Sequence, residues 1–353
     1  MSDKKALIAM SGGVDSSVAA FLTQQLGYDC IGGTMRMCDE ALLGQTPTDS
    51  ATDAQKVAEK LGIPFYAFDA FEAFKKQVAE PFIYSYEQGD TPNPCIRCNK
   101  TMKFGLLLDK AKELGCSKIV TGHYARVREE NGRYLLYKAV DESKDQTYFL
   151  ACLSQKQLSK ILLPLGELTK SQVREIAEAQ GFLNARKKDS QDICFIPDGD
   201  YKAFMERYTG KSYPAGDYLD MDGKVIGQHA GAVGYTLGQR KGLGIALGQP
   251  AYVCGKDMEK NTVTLGKNED LFKKVLRAAD WNFMPFETLE EPMRILAKVR
   301  YRHTAQPAVV YPEENGSARV EFDEPQRAIT TGQAVVLYDG DTVVGGGTIS
   351  EIL

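Results

Sequence analysis

Seven residues near the amino terminus, Ser11-Gly12-Gly13-Val14-Asp15-Ser16-Ser17, carry the parts of a phosphate receptor. Two glycines let the backbone approach a ligand closely and adopt conformations that a side chain would block. Unpaired N–H groups at a helix start, with the Ser11, Ser16 and Ser17 hydroxyls, offer donors to phosphate oxygens. Asp15 beside a bare phosphate would repel it, so its presence predicts a Mg²⁺ ion bridging the two anions. The alternative is a tight strand-to-helix turn capped by serines. The length of the run, and its place directly after an apolar strand, favour the receptor. It is not a Walker A loop, because the lysine and its spacing are absent.

A second chemical stretch is Thr91-Pro92-Asn93-Pro94-Cys95-Ile96-Arg97-Cys98-Asn99-Lys100. Its prolines fix a loop, and Cys95 and Cys98 stand just before an expected helix. That helix start, with Arg97, Lys100 and Lys103, is expected to lower the thiol pKa and favour the thiolate. No other C-x-x-C occurs, which counts against a structural zinc site. A third thiol, Cys194, lies in Lys188-Asp189-Ser190-Gln191-Asp192-Ile193-Cys194-Phe195-Ile196-Pro197. Cys30, Cys116, Cys152 and Cys254 have apolar neighbours that suit buried packing.

Those groups need a scaffold. Ala6–Met10 reads as a strand, Ser16–Leu26 as a helix and Asp29–Met35 as a strand. Ala54, Val57, Ala58 and Leu61 give a helical stripe ended by Gly62, and Pro64–Phe68 a third strand. Met102–Leu114 reads as a helix stopped by Gly115, and Lys118–Thr121 as a further strand. This alternation predicts a doubly wound parallel sheet in an α/β domain. Helices are expected to continue to about residue 207, with a capping box at Thr169 and Gln172. Tyr213–Gly248 is glycine-rich, with short strands and loops. Strand patterns then follow at Ile295–Tyr301, Ala308–Tyr311, Ala318–Phe322, Ala334–Tyr338 and Thr342–Ile349, as a small barrel or sandwich requires.

Of the 353 residues 43% are hydrophobic and 25% charged, an ordinary globular balance that allows several cores. No apolar run reaches about 18 residues, and the amino terminus lacks a secretory signal, so the expected location is cytoplasmic. A formal charge of −4 neither supports nor excludes a nucleic-acid partner, since local basic groups decide that. Such groups are Arg97/Lys100/Lys103, Arg186-Lys187-Lys188, Arg240-Lys241 and Arg300/Arg302/His303.

The first run is similar to the PP-loop of the ATP pyrophosphatase superfamily, which splits ATP between the α and β phosphates. Taken in order, Ser11–Ser17, Thr91–Phe104, Thr121-Gly122-His123-Tyr124, Lys144-Asp145-Gln146, Asp189–Pro197, Arg300-Tyr301, Gly332-Gln333 and Gly345-Gly346-Gly347 resemble the tRNA-specific 2-thiouridylase family through nearly the whole chain. The resemblance implies a PP-loop, Rossmann-like catalytic domain at 1–207, a small central domain at 208–275 and a C-terminal, tRNA-contacting β-barrel at 276–353. It implies ATP-dependent 2-thiolation of the wobble uridine of tRNA, with Cys98 as nucleophile and Cys194 as persulfide carrier. Ala9, Met10, Ser11, Gly12, Gly13, Val14, Asp15, Ser16, Met35 and Gly122 match ATP contacts. Asn93, Pro94 and Cys95 match the segment meeting the target base, and His123, Lys144, Asp145, Gln146, Arg300, Tyr301 and Gln333 match tRNA contacts.

One departure matters: many members of that family carry aspartate where this chain has Cys95. Cys95, Cys98 and Cys194 could together hold three irons of a 4Fe–4S cluster, the fourth iron remaining open for a sulfide donor. Two sulfur routes are therefore carried, a Cys194 persulfide with attack by Cys98, and cluster-borne sulfur. The persulfide route implies a Cys98–Cys194 disulfide after turnover and a sulfur-donor protein as partner. Competing readings are another adenylating ligase or amidotransferase, which would not need the cysteines, and a non-catalytic nucleotide-binding module.

Overall fold

The computed structural model describes residues 4–43, 50–185 and 193–353. Arg186-Lys187-Lys188 and Asp189–Asp192 lie outside the described residues. The expected parallel sheet is present. Strands β1 (Lys5–Ala9), β2 (Asp29–Arg36), β3 (Phe65–Asp69) and β4 (Lys118–Val120) pair in parallel, and β7 (Ile161–Leu162) extends the sheet in the order β3-β2-β1-β4-β7. Helices Val14–Gln25, Ser50–Leu61 and Lys170–Ala179 pack an apolar core on one face, and Leu107–Glu113 helps to cover the other. Neighbouring strands β1 and β4 lead on in opposite directions across the sheet. The loops after them therefore flank a topological switch point, where open α/β sheets bind ligands.

The segment from β4 to residue 207 departs from the expected run of helices. It contains an antiparallel hairpin, β5 (Arg126–Glu130) and β6 (Arg133–Tyr137), turned at Asn131 and Gly132, whose φ angles are 51° and 77°. Two left-handed residues are what a tight hairpin turn needs, and Asn-Gly is its usual sequence. Strand β6 then pairs with the last strand of the chain, which joins the α/β domain to the barrel.

The middle of the chain forms a four-stranded sheet in the order β10-β11-β8-β9, from β8 (Gly216–Leu219), β9 (Val225–His229), β10 (Tyr252–Asp257) and β11 (Thr262–Gly266), around buried Tyr218, Val253 and Val263. The C-terminal strands are β12 (Phe272–Phe283), β13 (Met293–Lys298), β14 (Gln306–Pro312), β15 (Ala318–Arg327), β16 (Ala334–Asp339) and β17 (Thr342–Ile352). They follow the order β12-β15-β14-β13-β16-β17 and close through β12–β17 pairing. Closure removes exposed edges, and alternate residues such as Val320, Phe322, Val335 and Leu337 fill the interior. Strand β12, absent from the sequence expectation, is the one that shuts the barrel.

Candidate active site

The Ser11–Ser17 loop leaves the end of β1 and enters the helix Val14–Gln25. Gly12 takes φ 70°, a left-handed conformation that a side chain disfavours. The loop is stitched internally. Ser16 and Ser17 hydroxyls each donate to the Gly13 carbonyl at 3.0 Å, and the Ser11 N–H donates to Ser16 Oγ at 3.2 Å. Gly13 occupies the N-cap without a side-chain cap, which leaves the helix start open to an anion. From the other end of the domain, the buried Asn184 amide donates to Gly12 O at 3.0 Å and to Ser17 Oγ at 2.9 Å. Gly122, just past β4, lies against this helix start: a Cβ there would stand 2.7 Å from Asp15 C and 2.8 Å from Ser16 N. The Gly122 match to an ATP contact is thus a position where only glycine lets two loops touch.

Asp15 has partners that sequence reading missed. Lys170 Nζ lies 2.7 and 2.8 Å from its two carboxylate oxygens, and the Tyr124 hydroxyl donates to it at 2.7 Å. Lys170 is the first residue of the helix Lys170–Ala179, whose start is fixed by the predicted Thr169–Gln172 capping box. The expected Mg²⁺ ion therefore meets a competing cation already seated on its carboxylate.

The cysteine segment forms a helix earlier than expected. Asn93 is the N-cap, its side chain accepting from the N–H groups of Cys95 and Ile96, and Pro94 fills the first position. Both cysteines stand inside Pro94–Cys98 rather than before it, and the chain continues as a π-helix over Asn99–Leu106. In that winding residues five apart stack, so Lys103 stands one turn beyond Cys98. Cys194 is delivered from the far side by its neighbours. Phe195 and Ile196 are each 1% exposed, with the Phe195 ring 5.4 Å from those of Phe74 and Phe82. They share one apolar cluster with Cys98, on whose edge Cys38 also packs. Cys38 drew no attention in the sequence, because nothing local marks it.

Electrostatics overturn the expectation of low-pKa thiols. Burial raises Cys95 and Cys98 above the usual thiol range and pushes Cys194 up to about 12, where repulsion from the Cys98 and Cys95 sulfurs adds. Cys95 and Cys194 are exposed as residues, but the protein groups around them still penalise a charge on sulfur. Of the three cations expected to activate these thiols, only Lys103 opposes burial at all three; Arg97 instead donates to the Gln77 carbonyl. Lys103 Nζ faces His123 Nε2 at 3.5 Å, and His123 Nδ1 lies 2.7 Å from Thr121 Oγ1. Burial, with Lys103 beside it, depresses the His123 pKa far below its ordinary value. A neutral ring with its lone pair toward Lys103 carries its proton on Nδ1, donated to Thr121. None of the eight cysteines is in a disulfide. Among the described residues no group of three or more His, Cys, Asp or Glu side chains is arranged to hold a metal ion.

Other matched positions have structural partners. Met10 is buried under the loop, and Met35 lies at the end of β2 between two apolar clusters. Gln146 Oε1 accepts from the Tyr124 N–H, while Asp145 accepts from Ala139 N and Thr147 Oγ1, with its pKa raised by burial. Lys144 closes the short turn Glu142–Lys144 beside them. Arg300 donates to Leu237 O at 3.0 Å and to Thr330 Oγ1, tying the barrel to the loop between β9 and β10. The Tyr301 ring packs 4.4 Å from that of Phe149. Gln333 donates to the Thr91 carbonyl at 2.6 Å, next to the cysteine helix.

Three family descriptions tile the chain: a tRNA methyl transferase HUP domain over residues 4–198, a tRNA methyl transferase PRC-barrel domain over 202–267 and an aminomethyltransferase β-barrel domain over 273–349. The chain is 48% identical to the tRNA-specific 2-thiouridylase MnmA of Clostridioides difficile (strain 630), covering 99% of each. It is 48% identical to that of Clostridium acetobutylicum, covering 98% of this chain and 99% of the relative. With the enzyme of that name from Acetivibrio thermocellus the identity is 49%, over 99% of this chain and all of the other. Identity of that degree, spread over all three domains, means that the chain belongs to the tRNA-specific 2-thiouridylase family.

Proposed function

We propose that this chain uses ATP to replace the C2 oxygen of the wobble uridine of tRNA with sulfur carried on Cys194. One observation carries the reading: a short run of neighbours leads from the phosphate loop to the thiols. Gly122 touches Asp15 and Ser16, its neighbour His123 meets Lys103, and the charge of Lys103 reaches Cys95, Cys98 and Cys194. The named activity of the relatives supports it.

A uracil C2 carbonyl is a poor electrophile and its oxygen a poor leaving group. The C2 oxygen attacks the α-phosphorus of ATP held on the Ser11–Ser17 loop, and pyrophosphate leaves. The outer sulfur of a Cys194 persulfide then bonds to C2, and AMP departs with the former carbonyl oxygen. The Cys98 thiolate attacks the Cys194 sulfur. The bond to the transferred sulfur breaks, its electron pair stays on that sulfur, and a Cys98–Cys194 disulfide remains. An external dithiol supplies two electrons to reopen it. Lys103 lowers the cost of each sulfur anion in a cleft that otherwise keeps thiols protonated.

The reading requires tRNA, a persulfide-donating protein as partner, and a cytoplasmic location. Asn93, Pro94 and Cys95 would face the extruded base. Exposed Arg240 on the middle domain, with its neighbour Lys241, would meet the RNA backbone. Lys170 supplies the positive charge at Asp15, so no metal role is assigned to that carboxylate. On the alternative route Cys95, Cys98 and Cys194 would be the residues to hold a 4Fe–4S cluster, and no step above runs through iron. Incubation with tRNA, ATP, Mg²⁺ and a persulfide donor should yield 2-thiouridine by nucleoside mass spectrometry, with pyrophosphate release. Pyrophosphate without thiolated nucleoside would point to the ligase reading, and neither product to a binding module.

A further inference from the structure

The loop that carries the cysteines is held from an unexpected direction. Thr91, buried and two residues before the helix cap Asn93, has both of its backbone polar groups taken by one turn of the C-terminal barrel. Its N–H donates to Thr331 O at 3.0 Å, and its carbonyl accepts from Gln333 Nε2 at 2.6 Å. Between those two contacts Gly332 presses directly on the loop. A Cβ at Gly332 would lie 3.1 Å from Asp90 Cβ and 3.2 Å from Thr91 N and C, and its φ of 82° also favours glycine.

The turn itself has little freedom. Gly332 N–H donates to Ile349 O at 2.9 Å and Ile349 N–H to Gln333 O at 2.8 Å, which binds it into strand β17. Arg300 holds Thr330 from the other side and reaches Leu237 in the loop between β9 and β10. The cysteine helix thus begins from a point fixed on the barrel, across 242 residues of sequence.

We propose that Gly332 and Gln333 are positioning residues: acting through Thr91, the barrel turn sets where Cys95 and Cys98 stand. Gln333 matches a position that touches tRNA in the resembled family, and here its amide nitrogen is already engaged with the protein. The same side chain can then report RNA docking on the barrel to the sulfur site. That consequence rests on the function proposed above; the positioning role does not.

The test uses the full chain without tRNA or ATP. Iodoacetamide labelling is followed cysteine by cysteine by mass spectrometry in wild type, Gln333→Ala and Gln333→Glu. The glutamate keeps the length but, as a carboxylate, cannot donate to Thr91 O. Losing one such bond should speed labelling of Cys95 and Cys98 about three- to tenfold, with Cys30 and Cys116 unchanged as buried reporters of global opening. Gly332→Ala should give the same signature more strongly; if it does not fold, the two Gln333 variants decide alone. Unchanged labelling of Cys95 and Cys98 in both Gln333 variants, or equal acceleration at all four cysteines, would overturn the proposal. If a separate tRNA-binding measurement on the same variants showed weaker binding while labelling stayed unchanged, the proposal would fall and Gln333 would be an RNA contact only.

Discussion

The phosphate loop and the thiol cleft adjoin each other, yet their chemistry is held in opposite ways. Loop hydroxyls and carbonyls are satisfied by one another and by Asn184, and the Asp15 charge is met by Lys170. That half is finished before any ligand arrives, and such preorganisation avoids reorganisation when charge develops. The thiols have one shared cation and are pushed toward protonation by burial. A free thiolate waiting beside ATP would be oxidised or alkylated. A protonated one is inert until a persulfide or a bound base changes its surroundings. On the function proposed above, the protein therefore builds its nucleotide site from internal contacts and holds its sulfur site in reserve.

The strongest way to break this division is to replace Cys194, the sulfur carrier of the proposed route. Cys194→Ser should lower thiolation by roughly a thousandfold or more, as loss of a covalent participant does. Pyrophosphate release in the presence of tRNA should stay near wild type. If both activities fell together, the two halves would not be separable in this way. Cys98→Ser should behave similarly, with the transferred sulfur trapped between tRNA and Cys194.

A smaller effect is expected on the nucleotide side. Lys170→Met leaves the Asp15 carboxylate with the Tyr124 hydroxyl as its remaining partner from the contacts above. The pair is only partly shielded, with side-chain exposures of 11% and 28%, so the stability cost is about 1–3 kcal/mol rather than the full value for a buried pair. The kcat/KM for ATP should fall about ten- to a hundredfold, measured by pyrophosphate release. Undiminished activity with a sharper Mg²⁺ dependence would return Asp15 to the metal.

The same contrast explains what could be read from the sequence. The Ser11–Ser17 loop, the parallel sheet around it and the Thr169–Gln172 cap are local patterns, so spacing was enough. Lys170 and Asn184 were invisible because their contacts with the loop span 155 and 172 residues, and no propensity encodes such a pairing. Strand β12 escaped because its long, partly exposed run, rich in charged residues, lacks clean alternation until the barrel closes on it. The hairpin at Asn131-Gly132 carries the strongest short-range hairpin signal in its own sequence, which an expectation of continuing helices passes over. The thiols were misjudged for a different reason. Nearby cations are visible in sequence, whereas desolvation is a property of the folded cleft.

That last point gives the mildest test and the sharpest one. Iodoacetamide reacts with thiolates, so its rate follows the ionised fraction. An unperturbed thiol, with a pKa of about 8.5, gains about tenfold per pH unit near neutrality and levels off above about pH 9. Cys194, pushed up to about 12, should still be gaining close to tenfold per unit at pH 10, with no plateau. Cys98 should be slower still in absolute rate, because its sulfur is buried as well as protonated. Lys103→Met removes the cation that opposes burial and should slow both at every pH below their midpoints. A plateau below pH 8 in the wild type would mean thiolates stabilised in the resting enzyme. The sulfur site would then be as fully built as the phosphate loop, and the contrast between them would disappear.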